Sequence, residues 1–147
     1  MVLVAPVVVA ACSGSGGGFG DRANSVCAAA NEQVAALGRE PRILTADQAD
    51  WLEQLTRIDR AALEELRGLE PPEDERADVA AMNASFGRGL GRADEIARAS
   101  RAGDFANFRS EVDAALVDLR RGQALARKHG LDDCARLGRL DRGQGTT

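Results

Sequence analysis

The amino-acid sequence predicts an all-α protein, an up-down-up-down four-helix bundle preceded by a signal segment and a flexible linker. Apolar residues recur every three or four positions over four separate segments, the spacing that puts them on one face of a helix. Ala, Leu, Arg and Glu dominate, and aromatic residues make up only 3% of the chain, which favours helix over sheet. Short connections between the segments make neighbouring helices antiparallel. The 147 residues have room for one domain.

The first two helices are delimited by clear start and stop signals. The first is predicted over residues 22–37 and ends at Gly38 and Pro41. The second begins at Thr45, which forms a capping-box pattern with Gln48. Its apolar stripe is long and regular, as expected of a helix that faces a core. The stripe consists of Trp51, Leu52, Leu55, Ile58, Ala62, Leu66 and Leu69.

The third and fourth helices follow the same logic. The third comes after Pro71-Pro72, and the acidic residues 73–75 in its first turn complement the helix dipole. Within it, Gly87-Arg88-Gly89-Leu90-Gly91 predicts a kink or a close approach of another helix. The fourth has Asp104 as N-cap and Gly130 near its end. The apolar stripes are Val79, Met82, Phe86, Leu90, Ala93 and Ala97 in the third helix, and Phe105, Phe108, Val112, Leu116, Leu119 and Ala126 in the fourth.

Residues 1–11 are predicted to be a lipoprotein signal segment. The apolar run 2–11 is shorter than the about twenty residues that span a membrane, but it has the length of a secretory signal core. A positively charged region before the run is missing, so we expect an upstream start codon or an incomplete signal. Residues 12–20 are then a lipidated Cys12 and a Gly/Ser tether. The alternative is an ordinary signal cleaved near Ala11, which leaves Cys12 as a free thiol.

The cysteine count supports that assignment. Of three cysteines, lipid on Cys12 leaves Cys27 and Cys134, one near each end of the folded segment. Export places them in an oxidising compartment, so a Cys27–Cys134 disulfide is predicted, with two buried thiols as the alternative. The up-down-up-down topology also brings these two positions to the same end of the bundle. No metal site is expected, because His129 is the only histidine and no CxxC motif occurs.

Three polar residues lie on or beside the apolar stripes: Asp59, Asn83 and Gln123. Antiparallel packing places them at one level of the bundle, together with Asn24. Polar groups in a core need partners, so they should share hydrogen bonds or water, or line a small binding cavity. A water-filled or frayed end of the bundle is the alternative. The bundle is predicted over residues 21–135, with a flexible tail over 136–147.

Composition and motifs point away from several function classes. The formal net charge of −4 argues against a nucleic-acid binder, which normally carries a basic surface. No nucleophile with a suitable partner is recognised, and His129 is expected only to complement a helix dipole. No cofactor is therefore expected.

A resemblance rests on five short motifs: VAAC at 9–12, Cys27, LRGLEPP at 66–72, RAGD at 101–104 and HGLDDC at 129–134. With these, the chain resembles small uncharacterised lipoproteins of high-GC Gram-positive (actinobacterial) cell envelopes. The resemblance covers nearly the whole chain. It implies surface anchoring and a helical domain, and it implies no activity.

We therefore expect a lipoprotein held on the extracytoplasmic face of the cell membrane by a lipid on Cys12. Its expected role is that of a non-enzymatic binding or interaction module for an unknown envelope protein or small ligand. One alternative is a small-ligand binding or transport accessory, or an enzyme, that uses the layer around Asp59. An Asp59 side chain that faces inward beside a pocket would favour this alternative. The other is a purely structural envelope protein, with neither pocket nor exposed apolar patch.

Overall fold

A computed structural model of the chain describes residues 17–139, and their regular secondary structure is entirely helical. The five α-helices are α1 (Phe19–Ala36), α2 (Ala46–Arg67), α3 (Arg76–Gly91), α4 (Ala93–Ala102) and α5 (Phe105–Lys128), and a 3-10 turn follows at Cys134–Arg136. The predicted all-α class is confirmed for this part of the chain. The predicted signal segment, Cys12 and residues 140–147 lie outside the described residues.

The helices pack as a bundle around one core. The main neighbours of α5 are α3, α4 and the 3-10 turn, whereas α1 packs against α2 and that turn. The buried residues at the centre come from every helix and include Val34, Leu55, Leu66, Phe86 and Leu119. Between residues 17 and 139, no helix combines the length and the apolar character that crossing a bilayer requires.

The third predicted helix is interrupted, so that α3 and α4 meet at Arg92. The Arg60 Nη2 donates a hydrogen bond of 3.0 Å to the carbonyl oxygen of Leu90, in the last turn of α3. The same Nη2 lies 3.6 Å from Oδ2 of Asp94 in the first turn of α4. One arginine of α2 thus stabilises both helix ends at the break, because a C-terminal carbonyl and an N-terminal carboxylate both attract a cation or its N–H groups.

The helix starts agree closely with the predicted caps. Thr45 Oγ1 accepts a hydrogen bond of 3.1 Å from Gln48 N–H, and Asp104 Oδ1 accepts one of 3.1 Å from Asn107 N–H. The first helix differs, because α1 begins at Phe19, inside the predicted tether 12–20. The Phe19 side chain is buried in the core, so the helix is extended by the apolar contacts of this residue.

Candidate functional site

The disulfide between Cys27 and Cys134 joins the middle of α1 to the segment after α5. The two Cα atoms are 4.9 Å apart although 107 positions separate them in the sequence, and both residues are fully buried. The pairing that cysteine counting predicted is confirmed. It fixes the C-terminal segment against α1.

Two asparagines of α1 bind the same C-terminal segment. Asn24 Nδ2 donates to the carbonyl of Gly130 at 3.1 Å, and its Oδ1 accepts from Asp133 N–H at 3.2 Å. Asn31 Nδ2 donates to the carbonyl of Asp133 at 3.0 Å. The sequence analysis missed this role, although Asn24, Cys27 and Asn31 share one helical face by their spacing.

Asp59 and Gln123 bind two later residues of that segment, Gly138 and Leu137. Asp59, on α2, is completely buried, and its Oδ2 accepts a hydrogen bond of 2.9 Å from Gly138 N–H. Gln123, on α5, donates from Nε2 to the carbonyl of Leu137 at 2.9 Å. Two of the three residues predicted at one level therefore meet at residues 137–138. Because Leu137 is fully buried, residues 136–139 lie on the bundle and not in the predicted flexible tail 136–147.

Asn83, the third residue of the predicted layer, lies on α3. Its Oδ1 is buried and has no hydrogen-bond partner within residues 17–139. That atom does not link Asn83 to Asp59 or Gln123. The polar layer thus orders the C-terminal segment through two of its members, and a ligand-binding role for the three residues stays a prediction.

A pair of small cavities lies beside this C-terminal segment. Each has a volume of about 60 Å³, and their walls come mainly from α2, α3, α4, α5 and the segment itself. Five residues line both cavities, which are therefore neighbours: Leu52, Ile96, Ala115, Leu119 and Gly138. The hydrogen bond from Gly138 to Asp59 thus positions part of the wall of both cavities.

Leu119 fits into a slot between two glycines. A Cβ on Gly89 would lie 2.6 Å from Leu119 Cγ, and a Cβ on Gly138 would lie 2.6 Å from Leu119 Cδ2. Gly138 also has a φ of +73°, in the left-handed region that favours glycine. The close helix approach predicted from the glycine-rich stretch of the third helix is found here, between α3 and α5.

Two wider grooves on the surface, of about 300 Å³ and about 330 Å³, meet at Arg60. Their charged lining residues are of both signs: Glu53, Arg57, Arg60, Glu64, Arg67 and Asp94. Arg60 is engaged by Leu90 and Asp94, as described above. The first groove has two acidic and two basic lining residues, and the second has one acidic and two basic, so neither carries a large excess of one charge.

His129 belongs to an ion cluster that joins the start of α3 to the end of α5. Its Nε2 is 2.9 Å from Asp78 Oδ2, and Lys128 Nζ is 2.6 Å from the same oxygen. The hydrogen bond from Lys128, and then that from His129, hold the pKa of Asp78 below its ordinary value. Glu75 Oε1 lies 3.6 Å from His129 Nδ1. Within residues 17–139, no group of three or more His, Cys, Asp or Glu side chains is arranged to hold a metal ion.

A second ion cluster joins α2 to the end of α4. Arg101 contacts Asp50 Oδ1 at 2.8 Å and Glu53 Oε1 at 2.6 Å. The hydrogen bond from Arg101 lowers the pKa of the Glu53 carboxyl, and the same bond raises the pKa of the Arg101 guanidinium. These pairs are exposed to solvent and join the helix ends, and Glu53 is the member of the cluster that also lines the groove of about 300 Å³.

Comparisons with protein-family models, with curated proteins and with solved structures find no match to this chain.

Proposed function

We propose that this chain is a lipid-anchored extracytoplasmic lipoprotein whose helical domain is a non-enzymatic binding module of the cell envelope. The observation that carries the proposal is the Cys27–Cys134 disulfide. Disulfides form and persist in oxidising compartments outside the cytoplasm. The remaining cysteine, Cys12, follows small residues and an apolar run, as a lipid attachment site does.

The proposed topology is the up-down-up-down four-helix bundle, with α3 and α4 together as its third member. Three neighbour relations support it: α1 packs on α2, α2 packs on α3 and α4, and these pack on α5. The disulfide supports it as well, because it holds the segment that follows the last member against the first member.

Binding rather than catalysis is supported by the chemistry of the cavities. Asp59, the fully buried carboxylate, is engaged by the backbone of Gly138, and the cavities beside it have mainly aliphatic walls. Phe105, at the start of α5, is 54% exposed. The presence of both apolar cavities and an exposed aromatic residue favours a binding module over a purely structural envelope protein.

The test is acylation and location in a high-GC Gram-positive host. The full open reading frame, with any upstream start, is expressed with an alkyne-labelled fatty acid in the medium. We expect label on the unchanged chain and on the control Ser15→Ala, and none on Cys12→Ala. A membrane-impermeant maleimide should modify the exposed thiol of the variant Val117→Cys on intact cells without lysis, because Val117 is 70% exposed.

Two outcomes would overturn the proposal. The first is an unlabelled wild-type chain, or equal labelling of Cys12→Ala, which would exclude an anchor on Cys12. The second is maleimide modification only after lysis, which would place the domain inside the cell.

A further inference from the structure

We propose that the two neighbouring cavities form one binding site for a single unbranched alkyl chain with a neutral or cationic end group. The inference names a ligand class for the binding module, and in that respect it rests on the proposed function above. The site is bounded mainly by α2, α3, α4, α5 and Gly138 of the C-terminal segment.

The lining determines the apolar character of the ligand. Leu52, Ile96 and Leu119 contribute to both cavities, and Phe108 and Val112 extend the second one along α5. A polar group placed against such walls would lose its hydrogen bonds to water without replacement. A hydrocarbon, in contrast, gains free energy with each buried methylene.

The size of the cavities determines the shape of the ligand. Each measures about 60 Å³. Because one water needs roughly 10–15 Å³ of such volume, each cavity accommodates about four groups of water or methylene size. The two cavities in sequence therefore fit about eight carbons, and neither alone fits a bulky ring system. An unbranched chain is the ligand shape that could extend from one cavity into the other past Ala115 and Leu119, which line both.

An approach from solvent runs along α5. Phe108, Val112 and Leu116 line the second cavity and are each only half-buried. Phe105, one turn earlier, is the exposed aromatic residue described above. Exposure thus falls along α5 from Phe105 to the buried Leu119, and apolar residues one turn apart lead an alkyl chain toward the cavities.

Glu40 determines the preferred end group. It is the charged residue that lines the second cavity, and its Oε1 accepts a hydrogen bond of 2.8 Å from Gln48 Nε2. Gln48 is fully buried, and its Oε1 accepts bonds of 2.7 Å from Leu44 N–H and from Ser100 Oγ. A carboxylate held in this way accepts a hydrogen bond from a hydroxyl or ammonium group and repels a second carboxylate.

Calorimetric titration tests the proposal on the full chain carrying Cys12→Ser, in which no acyl group can be attached and the disulfide is intact. The probes are 1-alkanols of four to twelve carbons, octylamine and octanoate. We expect the Kd to tighten about fourfold per added methylene up to about eight carbons and then to level off. Octylamine should bind at least as tightly as 1-octanol, and octanoate about tenfold more weakly or worse.

Substitutions on α5 locate the binding. Ala115→Leu fills the wall shared by both cavities and should weaken 1-octanol at least tenfold. Val117→Leu is the matched control, since Val117 lies on the same helix and is 70% exposed, and it should leave the Kd unchanged. Leu119→Ala enlarges the site and should move the plateau to longer alkanols; this variant decides the matter if Ala115→Leu does not fold, as judged by circular dichroism.

The proposal is overturned if folded Ala115→Leu binds 1-octanol as the parent chain does, or if the plateau does not move in Leu119→Ala. It is also overturned if affinity keeps rising beyond ten carbons, because that trend indicates partitioning onto the surface. Failure of the acylation test would remove the anchor and leave these titrations unaffected. Failure of the titrations would remove the alkyl site and leave the anchor.

Discussion

At the scale of single residues, three polar side chains from three different helices hold the backbone of the C-terminal segment. Asp59 accepts from the N–H of Gly138, Gln123 donates to the carbonyl of Leu137, and Asn24 binds Gly130 and Asp133. Backbone groups without regular secondary structure must find partners when they are buried. These amide and carboxylate groups therefore add to the backbone hydrogen bonds that the 3-10 turn makes within residues 131–137.

Replacing Asp59 should show how much one such bond contributes. Asp59→Ala leaves the buried Gly138 N–H without its acceptor, and we expect a loss of about 1–3 kcal/mol in the free energy of unfolding. Asp59→Asn keeps an acceptor oxygen of the same reach and should lose less. Urea unfolding followed by circular dichroism measures both, and equal stability of Asp59→Ala and the unchanged chain would contradict the assignment.

Asp78 should make the stability depend on pH in the acid range. Its pKa in the folded state lies below its ordinary value, so its contribution is present above the pKa of the unfolded chain and is lost as the pH falls through the folded-state pKa. We expect Asp78→Asn to be less stable than the unchanged chain at pH 7. The difference should shrink between about pH 5 and pH 2.

Thermal unfolding of both chains over this range gives the comparison. Lys128 is the larger cause of the lowered pKa, so the same substitution in a Lys128→Met background should produce a smaller pH dependence. A pH-independent difference between the two chains would show that Asp78 acts through something other than its charge.

At the scale of elements, the break between α3 and α4 lets two helices approach α5 closely. Gly89 in α3 lies against Ala115 and Leu119, so its lack of a side chain sets the distance between the helices. Gly91, two residues later, has open space around it. The two glycines of one helix thus have different structural roles.

Alanine at each glycine should therefore act in opposite directions. Gly89→Ala places a Cβ 2.6 Å from Leu119 Cγ and should destabilise the protein by about 1–3 kcal/mol. Gly91→Ala meets no atom within 4 Å and should stabilise it by up to about 1 kcal/mol, because alanine favours helix. Midpoints of urea unfolding provide the measurement, and a shift of the same sign in both variants would contradict this account.

Local signals explain which elements could be predicted. The caps at Thr45 and Asp104 follow from contacts within one helical turn, and the Cys27–Cys134 pairing follows from counting cysteines. The position of residues 136–139 could not be predicted, because a single apolar residue, Leu137, carries no periodicity. Likewise, the sequence indicated that Asp59 and Gln123 lie close together. Their partners could not be predicted, because these are backbone groups of Gly138 and Leu137, and any residue type carries the same backbone groups.

At the scale of the whole molecule, the first and last parts of the described chain form one unit. Cys27, Asn24 and Asn31 of α1 all bind the segment that follows α5. The α1 helix has its main contacts with α2 and with the 3-10 turn of this segment. The packing of α1 is therefore tied to residues more than a hundred positions away.

Loss of the disulfide should test that dependence. A closed loop of this length contributes about 2–5 kcal/mol by restricting the unfolded chain. The double variant Cys27→Ala/Cys134→Ala should lose a comparable amount in urea unfolding. Reductant should lower the stability of the unchanged chain and leave the double variant unaffected. Cys12→Ser is the control and should keep the stability of the oxidised chain.

The long separation between the two cysteines also has a consequence for biosynthesis. A ribosome or a translocation channel delivers the chain from its amino terminus, so Cys27 emerges 107 residues before its partner. Until Cys134 arrives, the binding partners of Asn24 and Asn31 are missing as well. The thiol of Cys27 therefore stays unpaired during almost the entire delivery of the domain. If another thiol is within reach, an oxidant that pairs cysteines in order of appearance forms a wrong disulfide, which thiol exchange would then have to correct.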